Sequence, residues 1–251
     1  MKFILSQRNR AILKKFASEN VLVAFDFDGT LAPIVSDPDG AGLRPSTQKL
    51  LQRVTQLYPC IVVSGRSRKD VRRKLAGVRF REYIGNHGIE PWSSSSAMAR
   101  KVEAWIPVLT RKLEHLHGVL VENKRLSVSV HFRHERNKKR AIETIEAVAG
   151  GLPGARVFGG KQVVNIVPIG APGKGIALKR ALREIGCAKA IYVGDDVTDE
   201  DVFAMGQNGR FLTIRVAANG SSLARFYIRD QREIDPLLTT LIEQRTKPKR
   251  V

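Results

Sequence analysis

Cysteine is scarce in this sequence. Cys60 and Cys187 are the two among 251 residues, and neither lies in a CxxC or Cys/His spacing, which excludes a disulfide framework and a thiolate zinc site. Each flanks a run that reads as a buried strand, so both are expected to be buried thiols in a reducing compartment. Long apolar runs are missing too: nothing approaches the roughly 20 residues that cross a bilayer. Arg8 and Arg10 interrupt the opening MKFILSQRNR before a secretory signal could form, so a cytoplasmic protein is expected. Acidic residues are few: 24 Asp and Glu face 43 Lys and Arg, a net charge of +19. Such an excess calls for anionic partners, whether nucleic acid, lipid or a small phosphorylated substrate. Hydrophobic residues at 43% and charged residues at 27% describe an ordinary globular chain, long enough for a sizeable core in one or two domains.

Four short apolar runs, VLVAF (21 to 25), CIVV (60 to 63), AIYV (190 to 193) and FLTIRV (211 to 216), read as strands buried on both faces. Helical patterns such as Thr47 to Leu57 and Gly175 to Ile185 separate them, which predicts a doubly wound, Rossmann-like α/β core with a parallel sheet. Ile4, Leu5, Ile12, Leu13 and Phe16 fall at loosely helical spacing, predicting an N-terminal helix packed on that core. The middle of the chain differs. Leu126 to Phe132 alternates as a strand with one buried face does, with Ser127, Ser129 and His131 on its polar side. A helical stretch, Lys138 to Ala149, and a hairpin over Arg156 to Phe158 and Val163 to Val167 follow. This predicts a smaller α+β unit, residues 94 to 170, inserted between core segments 1 to 93 and 171 to 251. Turn formers border it, Ser93 to Ser96 and Pro168 to Gly173.

Chemistry-bearing residues gather where open α/β sheets bind ligands, at the C-terminal ends of parallel strands. In AFDFDGTL, Asp26 ends a strand and Asp28 follows two residues later. Two carboxylates so close suggest metal binding, acid catalysis or both. Taken alone, the pair also describes an Asp-Gly turn that merely ends a strand. Ser64 and the loop after it offer a hydroxyl and amides to an anion. Lys174 in PGKG stands at a helix start, where the macrodipole disfavours a cation, so it needs another reason to be there. It is not a P-loop lysine, because Gly175 replaces the required Ser or Thr. YVGDDVTDED brings Asp195 and Asp196 to another strand end, whereas Asp199 and Glu200 also suit helix capping.

Taken in order, AFDFDGTL, VVSGRS, the isolated GKG and YVGDDVTDED resemble the four signature motifs of haloacid dehalogenase superfamily phosphatases, over residues from about 21 to 203. Within that superfamily, GNHGIE (85 to 90), VENKRLSVSVHFR (121 to 133), GKGIALKRAL (173 to 182) and GDDVTDEDVF (194 to 203) are similar to the trehalose-6-phosphate phosphatases. The resemblance implies an inserted cap that selects the substrate. It implies Asp26 as the nucleophile that forms an aspartyl-phosphate, and Asp28 as the acid and base for leaving group and water. Mg²⁺ is implied on Asp26, Asp195 and the backbone carbonyl of Asp28, with Asp196 and Asp199 orienting waters and Lys174 from behind. Ser64 and Lys174 would hold the phosphoryl oxygens. Phe27, Gly65, Arg66 and His87 are assigned to the substrate.

Glu122 and Lys124 of VENK match the cap residues that bind sugar hydroxyls in that family, and Arg133 on the next strand joins them as a substrate residue. Glu122 and Lys124 also suit exposed strand ends, and His131 and Arg133, on the polar side of the next strand, also suit a packed or solvated surface. Asn165 departs from the family, which usually carries Glu there; an amide binds a hydroxyl with altered polarity. The expected partner is therefore a phosphorylated sugar, trehalose 6-phosphate, bound by a monomer that uses neither nucleic acid nor membrane. Sucrose phosphate and a glycosyl-glycerate phosphate are alternative substrates differing only in the cap. A nucleic-acid-binding protein is the alternative of another class, suggested by basic runs at Arg66 to Lys74, Arg133 to Arg140 and Lys247 to Arg250. Those runs contain no interleaved aromatics for base stacking.

Overall fold

The computed structural model describes residues 1–35 and 38–246. The basic run Lys247 to Arg250 lies outside them. The chain divides into two compact units, Met1–Gly88 with Gly173–Val251, and Ile89–Pro172. In the first unit, β1 (Lys2–Phe3), α1 (Gln7–Ala17), β2 (Val21–Phe25), α2 (Pro45–Leu57), β3 (Cys60–Val63), α3 (Arg68–Lys74) and β4 (Glu82–Ile84) come first. The second unit comprises α4 (Ser96–Leu113), β5 (Leu120–Asn123), β6 (Val128–His131), α5 (Lys138–Gly150), β7 (Ala155–Gly160) and β8 (Val163–Pro168). The chain then returns to the first unit with α6 (Lys174–Ile185), β9 (Lys189–Gly194), α7 (Glu200–Phe203), β10 (Phe211–Val216), β11 (Phe226–Ile228) and α8 (Ile234–Thr246).

The seven strands of the first unit lie in the order β1-β11-β10-β9-β2-β3-β4 and all pair in parallel. A parallel sheet must be covered on both faces, and the aliphatic runs supply an apolar side chain at every position for that purpose. Val21, Val23, Phe25, Val62, Ile191, Val193 and Ile214 form one cluster with Leu13 of α1, Leu51 and Val54 of α2, Val71 of α3 and Leu238 of α8. The alternate residues Leu22, Ala24, Ile61 and Tyr192 are equally buried, on the face that α6 covers with Ala177, Leu178 and Ala181. Short polar side chains start the helices: Ser6, Ser67, Ser95 and Asn137 each accept the main-chain N–H three residues on. Gly186, left-handed at φ 76°, ends α6.

In the second unit, four antiparallel strands lie in the order β5-β6-β8-β7. One face packs Val128, Val130, Val164 and Ile166 against Val102, Trp105 and Leu109 of α4 and Ala141, Ile145 and Ala149 of α5. The other face carries a row of directly paired residues, Glu122, Ser129, Asn165 and Phe158, one from each strand. Ile89 and Ala171, on the core side of the borders read from composition, pack with Leu126 and Val167 of this unit.

Two sequence expectations need correction. Ile4 and Leu5 are not helical: Lys2 and Phe3 add an edge strand beside β11, and Ile4 is buried just after it, so α1 starts only at Gln7. The polar side of β6 is largely buried too: Ser127, just before the strand, and Ser129 are as inaccessible as Val128 and Val130, while His131 at its end is partly exposed. A serine hydroxyl tolerates that burial when it is hydrogen-bonded, as Ser129 is to Asn165. Truncation of Ile145, fully buried at the centre of the second unit, is expected to cost about 2–5 kcal/mol. An unshifted urea midpoint for Ile145→Ala would show that this cluster does not hold the unit together.

Candidate active site

The chain winds from β2 outward through β3 and β4, and from β9 outward through β10 and β11, so its direction switches between β2 and β9. Ligands of open α/β sheets bind at such a switch. Phe25 pairs with Val193 across it, and the next residue, Asp26, donates its main-chain N–H to the Val193 carbonyl at 2.9 Å. Asp26 and Asp195 therefore leave neighbouring strand ends, and Ser64 leaves the strand beyond. All three are buried. The loop after Asp26 turns tightly, with Gly29 N–H on the Ala32 carbonyl at 2.8 Å. Gly29 is required twice over: its φ is +78°, and a Cβ there would run into the Asp195 carboxylate.

Lys174 explains why a helix begins with a cation. Its side chain is buried, with Nζ 3.0 Å from Asp26 Oδ1 and 2.8 Å from Asp199 Oδ1. Burial would lower its pKa, but Asp199 and Asp26 outweigh that and hold the ammonium charged, well above its ordinary range. The Asp26 carboxyl is pushed well above the usual range, first by burial and then, against Lys174, by Asp199, Asp195 and Asp28. Asp199 is saturated: Oδ1 accepts from Lys174 and from the Tyr192 hydroxyl at 2.6 Å, while Oδ2 accepts the main-chain N–H groups of Asp195 and Asp196 at 2.8 and 2.9 Å. It ties the lysine to the loop that presents Asp195. Asp196 caps the short 3₁₀ turn Val197–Asp199 in a reciprocal box with Asp199.

Asp28 does not project alone. Arg66 binds both of its oxygens, Nε to Oδ2 and Nη2 to Oδ1, each at 2.8 Å, and binds Asp70 at 2.7 Å through Nη1. Ser64 Oγ accepts the Arg66 main-chain N–H at 3.1 Å. Phe27 buries its ring in the core with the Arg66 guanidinium 5.4 Å from its centroid. Gly65 leaves room for His87, whose ring would meet a Cβ at 2.5 Å, and His87 N–H donates to the Ser64 carbonyl at 3.0 Å. Asp26, Phe27, Asp28, Ser64, Gly65, Arg66, His87, Lys174, Asp195, Asp196 and Asp199 all belong to the first unit.

Glu122, Lys124, Arg133 and Asn165 belong to the second unit. Glu122 Oε2 lies 2.8 Å from His131 Nε2 and 3.6 Å from Lys124 Nζ. Burial alone would raise the Glu122 carboxyl, but the His131 hydrogen bond and the Lys124 charge hold it below its usual range. Asn165 Oδ1 accepts the Ser129 hydroxyl at 2.7 Å. Arg133 follows Phe132 just past β6 and is partly buried.

Three contributors escaped the sequence reading. Arg215, buried at the end of β10, donates to the Asp195 carbonyl at 2.6 Å, the Asp196 carbonyl at 3.4 Å and Glu200 at 2.9 Å, and so clamps the acidic loop. Tyr192 and Asp70 are the others. A residue inside an apolar strand, or a helical acid, carries no local sign of such a role. Arg215 interrupting FLTIRV was the one readable signal, since a charged side chain in a doubly buried strand needs partners.

Asp26, Asp195 and Asp199 bring one carboxylate oxygen each to within 4.8 Å of one another. The donors are all oxygens, and with Asp28 nearby the carboxylates outnumber Lys174, a composition that fits a hard divalent cation. Since both Asp199 oxygens are occupied by four donors, Asp26 and Asp195 are the side chains to hold it.

This sheet order, with carboxylates on its two central strand ends and a lysine between them, is the frame of the haloacid dehalogenase fold class. A family profile described as trehalose-phosphatase matches residues 24–224. The chain is 31% identical to "Probable trehalose-phosphate phosphatase 4" of Oryza sativa subsp. japonica, covering 94% of this chain and 70% of that protein. It is 35% identical to the "Trehalose-phosphate phosphatase" of Mycobacterium ulcerans, covering 79% of this chain and 55% of that one. Among solved structures, the C-terminal domain of the C. albicans trehalose-6-phosphate phosphatase shares the fold with a TM-score of 0.79 at 20% identity, covering 93% of this chain and 96% of that one. The chain belongs to the trehalose-phosphatase family.

Because Asp199 takes four donors in a buried site, Asp199→Asn is expected to destabilise the first unit by about 3–5 kcal/mol, the scale of breaking a buried ion pair. Tyr192→Phe, which removes one hydrogen bond to a carboxylate, should cost roughly 1.5–3 kcal/mol. Urea unfolding in EDTA measures both. Equal midpoints for wild type and Asp199→Asn would show that the cluster contributes no stability.

Proposed function

We propose that the protein hydrolyses trehalose 6-phosphate to trehalose and inorganic phosphate through an aspartyl-phosphate on Asp26. The observation that carries this reading is the buried Asp26 carboxylate, 3.0 Å from the Lys174 ammonium at the switch point of the sheet, in a chain of this family. In the first step an Asp26 oxygen attacks phosphorus, the bond from phosphorus to the sugar oxygen breaks, and Asp28 gives that oxygen a proton. In the second, Asp28 takes a proton from water, whose oxygen attacks phosphorus and releases Asp26. Lys174 and Ser64 hold the phosphoryl oxygens between these steps. Arg66, bound to both oxygens of Asp28, fixes where that carboxyl waits. Mg²⁺ would be held by Asp26, Asp195 and the Asp28 carbonyl, and when bound it offsets charge on the transferring group.

Sugar selection we assign to the second unit, acting as a cap, through Glu122, Lys124, Arg133 and Asn165. Asn165 in place of the family's usual Glu is the observation that keeps sucrose phosphate and a glycosyl-glycerate phosphate as alternative substrates. We read the protein as a cytoplasmic monomer; among the described residues no helix is long and apolar enough to cross a membrane.

A phosphate-release assay over a panel of sugar phosphates tests the function. Trehalose 6-phosphate is expected to be turned over at least about tenfold better than sucrose phosphate or glucose 6-phosphate, about 1.4 kcal/mol of discrimination. A preference for another sugar by orders of magnitude would replace the substrate and leave the phosphatase. Asp26→Asn should abolish turnover of every substrate, and full activity in that variant would remove Asp26 from the chemistry. EDTA is expected to stop hydrolysis and Mg²⁺ to restore it; undiminished turnover in EDTA would argue against the metal.

A further inference from the structure

The row of residues across the polar face of the second unit's sheet, in which Ser129 and Asn165 are buried and Glu122 is half exposed, is tied together more closely than a set of independent sugar contacts needs to be. Resting on the proposed function, we propose that His131 and Ser129 are positioning residues for sugar recognition. His131 fixes the Glu122 carboxylate as an acceptor, and Ser129 fixes the Asn165 amide so that its NH₂ group donates to a hydroxyl oxygen of the sugar.

The register supports this. Glu122 on β5, Ser129 on β6 and Asn165 on β8 are direct cross-strand partners, so their side chains rise from the same face within reach of one another. His131, two residues beyond Ser129, projects from that face as well. Its Nε2 lies 2.8 Å from Glu122 Oε2, and Lys124 Nζ lies 3.6 Å from the same oxygen. The Glu122 side chain remains 45% exposed, so without His131 it would sample many rotamers and lose that freedom only on binding sugar. Holding it beforehand moves that cost out of the binding step. The ring and the lysine both engage Oε2, and Oε1 is the oxygen we assign to the sugar as an acceptor.

Ser129 acts on the amide in the same way. It is fully buried, and its hydroxyl donates to Asn165 Oδ1 at 2.7 Å. Ser129 takes one lone pair of Oδ1 and fixes which way the amide points, and the group of Asn165 that we assign to the ligand is the Nδ2 donor. A glutamate in this place would offer only acceptors. The amide thus offers the sugar a donor, and the Ser129 hydroxyl keeps it from rotating to present its oxygen instead.

The test is a double-mutant cycle on the full chain with trehalose 6-phosphate, and p-nitrophenyl phosphate as a substrate without sugar hydroxyls. His131→Ala is expected to raise KM for the sugar phosphate roughly five- to tenfold, the scale of one ordinary hydrogen bond, because Glu122 itself remains. The kcat and the p-nitrophenyl phosphate kinetics should stay within about twofold, and His131→Gln, which keeps a donor in reach of Glu122, should recover most of the loss. Glu122→Ala combined with His131→Ala should be no worse than Glu122→Ala alone. Additive losses, or equal losses on both substrates, would overturn the positioning role. Asn165→Asp, which replaces the donor by an acceptor, should raise KM for the sugar phosphate; a lowered KM overturns the donor assignment. If wild type hydrolyses p-nitrophenyl phosphate but no trehalose 6-phosphate, the substrate reading fails by itself. His131 positioning is then judged by NMR: its ring resonances shift in Glu122→Gln if the pair exists, and unchanged resonances refute it.

Discussion

Charge compensation by Lys174 is the constraint on which the first unit's site depends. Removing a carboxylate from water costs several kcal/mol, and Asp26, Asp195 and Asp199 are all buried within a few ångströms of each other. Three such groups would not remain together unaided. The lysine lies on two of them, and it can do so only because α6 begins at the switch point with its first side chain turned into the sheet. That placement opposes the helix macrodipole by a few tenths of a kcal/mol to about 1 kcal/mol. The two short contacts to carboxylates outweigh it. The pairing also leaves a net negative charge, so the cluster that lysine makes possible still suits a divalent cation.

The sheet explains why the parts meet. Adjacent strands are about 4.8 Å apart, and β3, β2 and β9 are consecutive in the sheet. Residues just past their ends, Ser64, Asp26 and Asp195, are therefore neighbours whatever their separation along the chain. Around them the loops are fixed by side chains: Asp199 holds two amides of the acidic loop, Arg215 holds two of its carbonyls, and Arg66 spans from Asp28 to Asp70. Such preorganised supports are what keep a catalytic geometry within tolerance.

The doubly buried runs VLVAF, CIVV and FLTIRV were readable as strands because apolar residues at every position leave few alternatives. Lys174 was readable as anomalous because a cation at a helix start contradicts local electrostatics. Two things were hidden. β1 is two residues long, too short for periodicity to register, and its pairing with β11 joins residues more than 200 positions apart. The burial of Ser127 and Ser129 was hidden as well, because the alternation that distinguishes polar from apolar sides cannot report whether a polar side is wet. Partnerships such as Arg66 with Asp28, or His131 with Glu122, depend on register and rotamer, and neither is written locally in the residues.

The two units rest on different physics. In the first, Asp26, Ser64, Lys174, Asp195 and Asp199 are nearly inaccessible and held by buried charges or main-chain bonds, so a substitution among them alters stability and chemistry together. In the second, Glu122 is half exposed and is held by one imidazole and one ammonium, while the apolar cluster that folds the unit lies on the opposite face of the sheet. Exposed side chains of the polar face, such as Glu122, can therefore change without disturbing the core beneath. Asn165 illustrates the limit of that freedom. It sits in the middle of a strand between Val164 and Ile166, both packed into the apolar cluster, and its own oxygen is satisfied by Ser129. A change at 165 thus requires position 129 to remain a compatible partner, which makes the pair, rather than either residue, the unit in which this row of the sheet varies.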